Sequence, residues 1–472
     1  MNTTNNNTIN DTKTVAFHTL GCKVNTYETQ GMQKLFEDAG FKVLDFSDKA
    51  DIYVINTCTV TNLADRKSRQ MLHRARKMNE DAIVVAAGCY VQTSQAVSPD
   101  GDSKAAEEKD DLKDTVDIIV GNNNKNDIVK IVEEFIAQKE GKNIEPTDQD
   151  YMYILDIAKE SEFEELAVES MSEKTRASIK IQDGCNQFCS YCIIPYARGR
   201  VRSRSVESVI NEVTKLTENG YKEVILTGIH LSSYGIDFPD NEDKKPQLLE
   251  LILDLSKIDK LERIRLSSLE PRIITEEFAK VLSKNPKLCP HFHLSLQSGC
   301  DATLKRMNRK YTTKEYKEKC DLLCKYFDNP AITTDVIVGF PGETKEEFEA
   351  TRRFLEDINF AQMHVFKYSV RKGTVAEKMP NQVGGSIKKE RSNILIELEN
   401  KMRQNYLSSF IGKEEKVLIE EEVEIDGISY QVGHNERYVK IAIESDKDFT
   451  NQIVAVRVIK ELNDEVMLGQ LI

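Results

Sequence analysis

The chain has 472 residues, a hydrophobic fraction of 40% and a formal net charge of −13 at neutral pH. This length is enough for about three domains with separate cores, and the acidic charge excludes a generally basic nucleic-acid-binding protein. The polar N-terminus lacks the pattern of a signal peptide, and no apolar stretch is long enough to cross a membrane. We therefore expect a cytoplasmic protein without membrane contact, in which residues 1–12 form a disordered tail.

Short apolar strands alternate with helical patterns in residues 13–140, which predicts an N-terminal open parallel α/β domain. The predicted strands are 15–17, 51–55, 83–87 and 116–121, and the helices lie near 28–39, 63–78 and 126–140. A cysteine follows each of the first three strands, at Cys22, Cys58 and Cys89. Because the carboxyl ends of parallel strands share one edge of the sheet, we expect these thiols to converge. Ordinary buried core cysteines are the alternative.

Two charged segments interrupt the pattern. Residues 98–114 contain seven acidic residues without apolar periodicity and are interpreted as a solvated loop, and residues 141–170 as a linker. A longer alternation fills residues 171–403, with strands predicted at 177–181, 223–227, 263–267, 291–296, 332–338 and 363–368. Six β/α units favour a partial (β/α)6 barrel, and five short strands in residues 404–472 favour a small C-terminal β-barrel.

The most informative motif directly follows the first of these strands. Cys185, Cys189 and Cys192 form a C-x3-C-x2-C run. Three thiolates at this spacing can hold three irons of a 4Fe-4S cluster and leave the fourth iron open to a cofactor. Zinc is the competing metal, but a structural zinc takes four ligands, and no histidine stands at finger-like spacing. The other cysteines are expected to be structural: Cys289, Cys300, Cys320 and Cys324.

The residues around these cysteines resemble a known family. The runs at 184–199 (GCNQFCSYCIIPYARG), 19–28 (TLGCKVNTYE) and 56–61 (NTCTVT) are similar to the methylthiotransferases of the radical S-adenosylmethionine superfamily, in particular their MtaB-type tRNA subfamily. The resemblance extends over nearly the whole chain. It implies a 4Fe-4S cluster on Cys185, Cys189 and Cys192 that binds S-adenosylmethionine through its open iron. It also implies a second 4Fe-4S cluster on the strand-end trio.

The same resemblance implies a cofactor pocket at the carboxyl ends of the barrel strands. Tyr191 would pack beside the cluster or the adenine, and Gly228, Gln297 and Gly339 would line the pocket. A core aromatic residue and ordinary turn glycines are the competing interpretations.

An acidic protein that acts on tRNA requires local basic surfaces. Arg198, Arg200, Arg202 and Arg204 would share one side of an extended segment and contact phosphates. Residues 66–77 and 305–310 contain two further basic clusters. The C-terminal barrel resembles a TRAM domain, yet it has seven Lys/Arg against fourteen Asp/Glu. It would therefore contact RNA through a minority face near Arg437, Lys440, Arg457 and Lys460, or contribute little affinity.

These features predict a tRNA-modifying enzyme. The reaction that the resemblance implies converts N6-threonylcarbamoyladenosine at position 37, in the anticodon stem-loop, to its 2-methylthio derivative. It would require an electron donor such as flavodoxin or ferredoxin and a sulfur donor. Two alternatives are a methylthiotransferase for isopentenyl-adenosine in tRNA or for a ribosomal protein side chain, and a zinc-containing RNA-binding protein without catalytic activity.

Overall fold

The computed structural model describes residues 12–95, 112, 114–141, 151–166 and 175–472. The predicted N-terminal tail and most of the predicted acidic loop lie outside the described residues. The chain divides into two compact units, Met1–Val168 with Tyr196–Arg198 and Glu169–Pro195 with Gly199–Ile472. The predicted domain boundaries at 140, 170 and 403 remain predictions.

The first unit contains a parallel sheet of six strands in the order β2-β1-β3-β4-β5-β6. Its strands are β1 Thr14–Thr19, β2 Lys42–Leu44, β3 Ile52–Thr57, β4 Ile83–Gly88, β5 Ile118–Val120 and β6 Met152–Tyr153. Its helices are α1 Lys23–Asp38, α2 Asn62–Met78, α3 Cys89–Gln95 and α4 Ile128–Glu140.

The central strands of this sheet are apolar on both faces because helices cover both. Every residue of β3 and β4 is buried. Val54 and Val85 pack into one core layer, while Tyr53 and Val84 pack into the other. The predicted open parallel sheet is confirmed. The described part of the predicted linker supplies strand β6, which pairs with β5.

The second unit begins with six parallel strands. The sheet orders are β10-β9-β7-β8 and β11-β12-β13, and two isolated bridges, Ile264↔Leu288 and Leu269↔Leu294, connect them. The strands are β7 Arg176–Asp183, the short antiparallel β8 Arg202–Ser203, β9 Glu223–Gly228, β10 Arg263–Leu266, β11 His291–His293, β12 Ala331–Val338 and β13 Gln362–Lys367. All six predicted barrel strands are present, so the partial barrel is confirmed.

Helices alternate with these strands along the chain. They are α5 Ile194–Arg198, α6 Val206–Glu218, α7 Leu248–Leu255, α8 Glu276–Leu282, α9 Asp301–Arg306, α10 Thr313–Tyr326, α11 Lys345–Ile358 and α12 Gly385–Ser408. Capping boxes start two of them: Thr312 with Glu315 before α10, and Thr344 with Glu347 before α11.

Five strands close the small C-terminal β-barrel that was predicted. They are β14 Glu414–Ile425, β15 Ile428–Asn435, β16 Lys440–Ile443, β17 Ile453–Glu461 and β18 Val466–Leu471. Val417, Ile441 and Met467 form part of its core. Among the described helices, none combines the length and the apolar character needed to cross a membrane.

Buried arginines fasten this small barrel within the second unit. Arg265 pairs with Glu223 at 2.7 Å, donates to the Asn435 and Glu436 carbonyls, and lies over the Tyr438 ring. Arg437 on the small barrel donates in turn to the backbone carbonyls of residues 328 and 329. Arg437 is therefore not available to the RNA-binding face that was predicted near it, because its guanidinium is used in packing.

Candidate cluster and cofactor sites

The first cysteine trio lies where three neighbouring strands end. Strands β1, β3 and β4 are adjacent, and Thr19, Asn56 and Ala87 stand opposite one another in register. The chain reaches Cys22, Cys58 and Cys89 two or three residues beyond that row. The three cysteines therefore follow neighbouring strands at one edge of the sheet, and Cys22 and Cys89 lie close enough to Cys58 to influence the pKa of its thiol.

Close packing brings the first two cysteines of this trio together. Gly21 has φ +108°, and a Cβ atom built on it would lie 2.9 Å from the Cys58 Sγ. Only glycine permits this approach. Cys58 and Cys89 are buried, whereas Cys22 is exposed. Burial, together with a smaller effect of the nearby Cys89 and Cys22, raises the pKa of the Cys58 thiol to about 11. Two of the three cysteines are therefore buried in the protein, and the third lies at its surface.

A buried ionic network lies beside this trio. The Arg198 guanidinium contacts both carboxylate oxygens of Glu28, at 2.7 and 3.1 Å, and the Asn25 Oδ1 at 2.7 Å. Lys125 pairs with the same carboxylate at 3.1 Å. The side chains of Arg198, Glu28 and Lys125 are at most 1% exposed.

The network connects directly to the cysteines and has an excess of positive charge. Asn122 accepts from Lys125 at 2.6 Å, and its Nδ2 lies 3.6 Å from the Cys89 Sγ. Two cations and one carboxylate leave one net positive charge in a desolvated position, which stabilises thiolates nearby. Three thiols at a strand edge, with the cationic side chains of Arg198 and Lys125 behind them, fit an iron–sulfur cluster, whose ligands are thiolates.

The second trio lies on the loop after β7. The Cys185 backbone N–H donates to the Gly199 carbonyl at 3.0 Å, and that of Cys192 donates to the Cys189 carbonyl at 2.9 Å. The loop therefore folds back on itself, and its three cysteines lie close enough to influence one another's pKa values. Each cysteine keeps part of its surface exposed, yet the thiol surroundings are desolvating enough to raise the pKa of Cys185 to about 11 and of Cys192 to about 12. Binding to iron would displace these protons.

Arg309 supplies positive charge to this second trio. Its Nη1 lies 3.3 Å from the Cys189 Sγ, while Nη2 donates to the Ser295 carbonyl at 3.1 Å and Nε to the Tyr311 hydroxyl at 2.9 Å. The guanidinium lowers the pKa of both Cys185 and Cys192, against the larger effect of burial. The donor set and its fixed cation fit a cluster with three thiolate ligands.

The predicted pocket residues stand at carboxyl ends of the barrel strands. Gly228 ends β9, and a Cβ atom there would lie 2.9 Å from the Gln182 side chain. Gln297 has φ +70° and bonds through its backbone to Asp335 and Ile337. Gly339 follows β12 with φ +71°. Tyr191 packs edge-on against Phe340 at 6.3 Å, so the structure gives it a core contact as well as a place next to Cys192.

The four predicted phosphate-binding arginines do not share one exposed side. Arg198 is buried with Glu28, Arg202 is 0% exposed beside Asp183, and Arg204 pairs with Glu212. The prediction of a shared exposed side is wrong for these three, because each guanidinium lies among protein groups that satisfy its charge. Arg200 is exposed and lies over the Phe188 ring at 4.6 Å.

Comparison with protein families places both cysteine sites in known models. Residues 179–355 match the radical SAM superfamily, and residues 14–106 match an uncharacterized protein family, UPF0004. The solved radical S-adenosylmethionine methyltransferase TsrM from Kitasatospora setae has a similar fold, with a TM-score of 0.52 over 75% of this chain and 73% of that one, at 18% identity.

Three curated relatives decide the family. Threonylcarbamoyladenosine tRNA methylthiotransferase MtaB of Bacillus subtilis is 40% identical over 95% of this chain and 94% of its own. MtaB of Aquifex aeolicus is 42% identical over 86% and 93%. A tRNA-2-methylthio-N(6)-dimethylallyladenosine synthase of Pelotomaculum thermopropionicum is 34% identical over 93% of each chain. The chain belongs to the MtaB family of methylthiotransferases.

Membership in the MtaB family identifies the cofactors as S-adenosylmethionine and two 4Fe-4S clusters. The zinc-containing, non-catalytic alternative is therefore excluded. Sequence reasoning missed the charged groups behind the cysteines: it assigned Arg198 and Arg309 to RNA-binding clusters and gave no role to Glu28 or Lys125. Asn122 also escaped notice, because only the fold places it beside Cys89.

We expect Arg198→Ala to destabilise the protein, whereas Arg200→Ala should not. Removing one partner of a buried ion pair costs about 3 kcal/mol, because the remaining charge stays desolvated. Lys125 still faces Glu28, so the loss should lie at the low end of the 3–5 kcal/mol range. Thermal unfolding of the two variants tests this, with the exposed Arg200 as the matched control. Equal melting temperatures would contradict the structural role of Arg198.

Proposed function

We propose that this chain replaces the C2 hydrogen of N6-threonylcarbamoyladenosine at position 37 of tRNA with a methylthio group. The observation that carries the proposal is the presence of two separate three-cysteine sites at strand ends, in a chain that is 40% identical to a Bacillus subtilis MtaB along 95% of its length. One cluster is sufficient for the cleavage of S-adenosylmethionine, so a second site indicates a second task, the supply of sulfur.

The two cysteine trios divide these tasks. Cys185, Cys189 and Cys192 hold the cluster that binds S-adenosylmethionine, and Cys22, Cys58 and Cys89 hold the cluster that handles sulfur. Bound together, the cofactor and its cluster supply the one-electron cleavage of a carbon–sulfur bond. The protein's own contribution is to position these groups, to exclude water and to fix charge around the thiolates.

The cofactor pocket is formed by Tyr191, Gly228, Gln297 and Gly339. All four follow barrel strands at the carboxyl ends, where barrels of this kind bind ligands. Gly228 packs closely against the Gln182 side chain and Gly339 against the Lys388 side chain, so a larger residue at either position would displace a neighbour. Glu343 accepts from the Gly339 backbone at 2.7 Å and pairs with Arg391, which holds this turn in place.

Arg309 tunes the cluster on Cys185, Cys189 and Cys192. Reduction adds negative charge to the cluster, and a guanidinium 3.3 Å from the Cys189 sulfur stabilises that charge more strongly in a desolvated position than in water. We expect Arg309→Gln to lower the midpoint potential of this cluster, whereas Arg309→Lys, which keeps the charge, should lower it less. A redox titration followed by electron paramagnetic resonance measures both. Identical potentials in the three proteins would remove this role.

Arg200 is the member of the arginine segment that contacts tRNA. It is exposed, and it leaves the loop that carries the second cysteine trio. Four exposed basic residues on α2 provide a further surface for phosphates: Arg66, Lys67, Arg74 and Lys77. These local surfaces offset the net charge of −13 where the polyanion binds.

We expect Arg200→Ala to weaken tRNA binding and to reduce the salt dependence by about one phosphate contact. Binding of an anticodon stem-loop RNA at several salt concentrations measures the slope. Arg352→Ala is the matched control, because Arg352 is paired with Glu349 and Glu356 on α11. An unchanged slope for Arg200→Ala would show that this arginine does not reach a phosphate.

The reaction requires two further partners and a reducing compartment. A one-electron donor such as flavodoxin or ferredoxin must reduce the cluster on Cys185, Cys189 and Cys192, and a sulfur donor must replenish the other. Both the 4Fe-4S clusters, with their thiolate ligands, and the tRNA substrate are consistent with a location in the reducing cytoplasm.

Nucleoside analysis of tRNA tests the proposed function directly. A deletion strain should accumulate N6-threonylcarbamoyladenosine and lack its 2-methylthio derivative, and the wild-type gene should restore the modification. Complementation with the Arg352→Ala gene should restore it equally. Loss of methylthio-isopentenyladenosine instead would overturn the assignment in favour of the dimethylallyl branch of the family.

A further inference from the structure

Three adjacent barrel strands carry two histidines and an aspartate that the proposed reaction does not use. His293 ends β11, Asp335 lies on β12 and His364 on β13. Asp335 stands directly opposite His364 in the register, and His293 stands opposite Thr333, two residues before Asp335. One ring nitrogen from each histidine and one aspartate oxygen all lie within 4.8 Å of one another.

These side chains lie on the face of the sheet away from the helices. Side chains alternate along a strand, and the neighbours on the opposite face are buried against α10 and the residue after it: Thr334 bonds to the Tyr316 hydroxyl, and Phe292 packs on Phe327 at 5.0 Å. His293 and Asp335 are half-buried and His364 is exposed. The cluster is therefore accessible from the inner face of the partial barrel.

His293 is oriented for a ligand on its second nitrogen. Its Nδ1 lies 3.0 Å from the Thr333 hydroxyl, which fixes the ring. Its Nε2 is buried, has no hydrogen-bond partner among the described residues, and lies 3.2 Å from the Asp335 Oδ2. At this distance either the Nε2 proton of a neutral ring or a metal ion can lie between the nitrogen and the carboxylate oxygen. An unsatisfied buried nitrogen alone costs about 1–3 kcal/mol.

His364 favours a metal ion over a proton at this position. Its ring stacks near His293, with centroids 6.0 Å apart, and it stands opposite Asp335 in the register. A second imidazole this close supplies a further ligand to a metal ion but adds nothing to a hydrogen bond between His293 and Asp335. Tetrahedral ligands at the usual distance from zinc lie about 3.3 Å apart, close to the observed separation of the Nε2 and Oδ2 atoms.

We propose that His293, Asp335 and His364 form a binding site for a divalent transition-metal ion, separate from both cysteine trios. Two imidazoles and one carboxylate suit zinc, manganese or ferrous iron. Three protein ligands leave at least one coordination position for water or for an oxygen of a bound molecule. Thr333 acts as a positioning residue, since it orients His293 without reaching the ion.

Zinc uptake by the holoenzyme with both clusters in place tests the proposal. After equilibrium dialysis against micromolar Zn²⁺, elemental analysis should find one more zinc per chain in the wild type than in His293→Ala, Asp335→Asn or His364→Ala. Thr333→Val should weaken binding by about 10-fold to 100-fold. Iron is measured in the same samples and should stay constant, which excludes exchange of zinc into the clusters.

Two controls separate ligand loss from other effects. His73→Ala removes a histidine from α2 in the first unit and should leave zinc uptake unchanged. The exposed position of His364 makes its alanine variant the least disruptive to folding, and unfolding curves should confirm this. Equal zinc content in the wild type and His364→Ala would overturn the proposal. An absence of tightly bound zinc in the wild type would also overturn the proposal. It would mean that a proton, and not a metal ion, lies between His293 and Asp335.

Discussion

Replacing Cys185, Cys189 or Cys192 with alanine should abolish the formation of 5′-deoxyadenosine from S-adenosylmethionine. Under the proposed function, each change removes one of three thiolates from the cluster that binds the cofactor, and no other cysteine follows β7 closely enough to replace it. Cys189→Ala also leaves the Arg309 guanidinium without its sulfur contact. The activity should fall to the background rate, and liquid chromatography of the nucleoside product measures it.

Cys324→Ala is the matched control for this prediction. Cys324 is an exposed residue of α10 and should tolerate the change without loss of cleavage. Iron analysis should show about four fewer iron atoms per chain in the variants of the second trio than in this control. Continued cleavage in any one of the three variants would refute the assignment of the trio.

Replacing Cys22, Cys58 and Cys89 together should end methylthiolation while cleavage of S-adenosylmethionine remains detectable. The cleavage step requires only the other cluster, whereas transfer of sulfur requires this one. The three thiols belong to the edge of a sheet whose core lies in other residues, so their removal should leave the fold intact. Mass spectrometry of the RNA substrate and chromatography of the cleavage product follow the two activities in the same reaction.

Folding of the triple variant has to be established separately. Far-UV circular dichroism and a melting curve close to those of Cys324→Ala would show that the first unit is formed. If such a well-folded variant lost cleavage as well as methylthiolation, the proposed division of labour between the two trios would be wrong.

The arginine segment shows why spacing alone misassigned charged residues. Alternate arginines at 198–204 predict one exposed face, but the structure provides a carboxylate for three of the four: Glu28, Asp183 and Glu212. Glu28 is 170 residues away from Arg198 in the chain. A local pattern reports that charge is present, whereas the partner of that charge depends on segments brought together by folding.

The sequence by itself predicted the six cysteines as cluster ligands and the strands that precede them, and it determined the architecture of a parallel sheet, a partial barrel and a small β-barrel. These follow from local rules, because hydrophobic periodicity marks the strands and the ends of parallel strands must meet at one edge. Only the tertiary structure decided the surroundings of the cysteines, including Arg198 and Lys125 behind one trio and Arg309 beside the other. It also placed His293, Asp335 and His364 together. Each of these contacts joins residues far apart in the chain, and burial and charge pairing depend on such contacts rather than on local spacing.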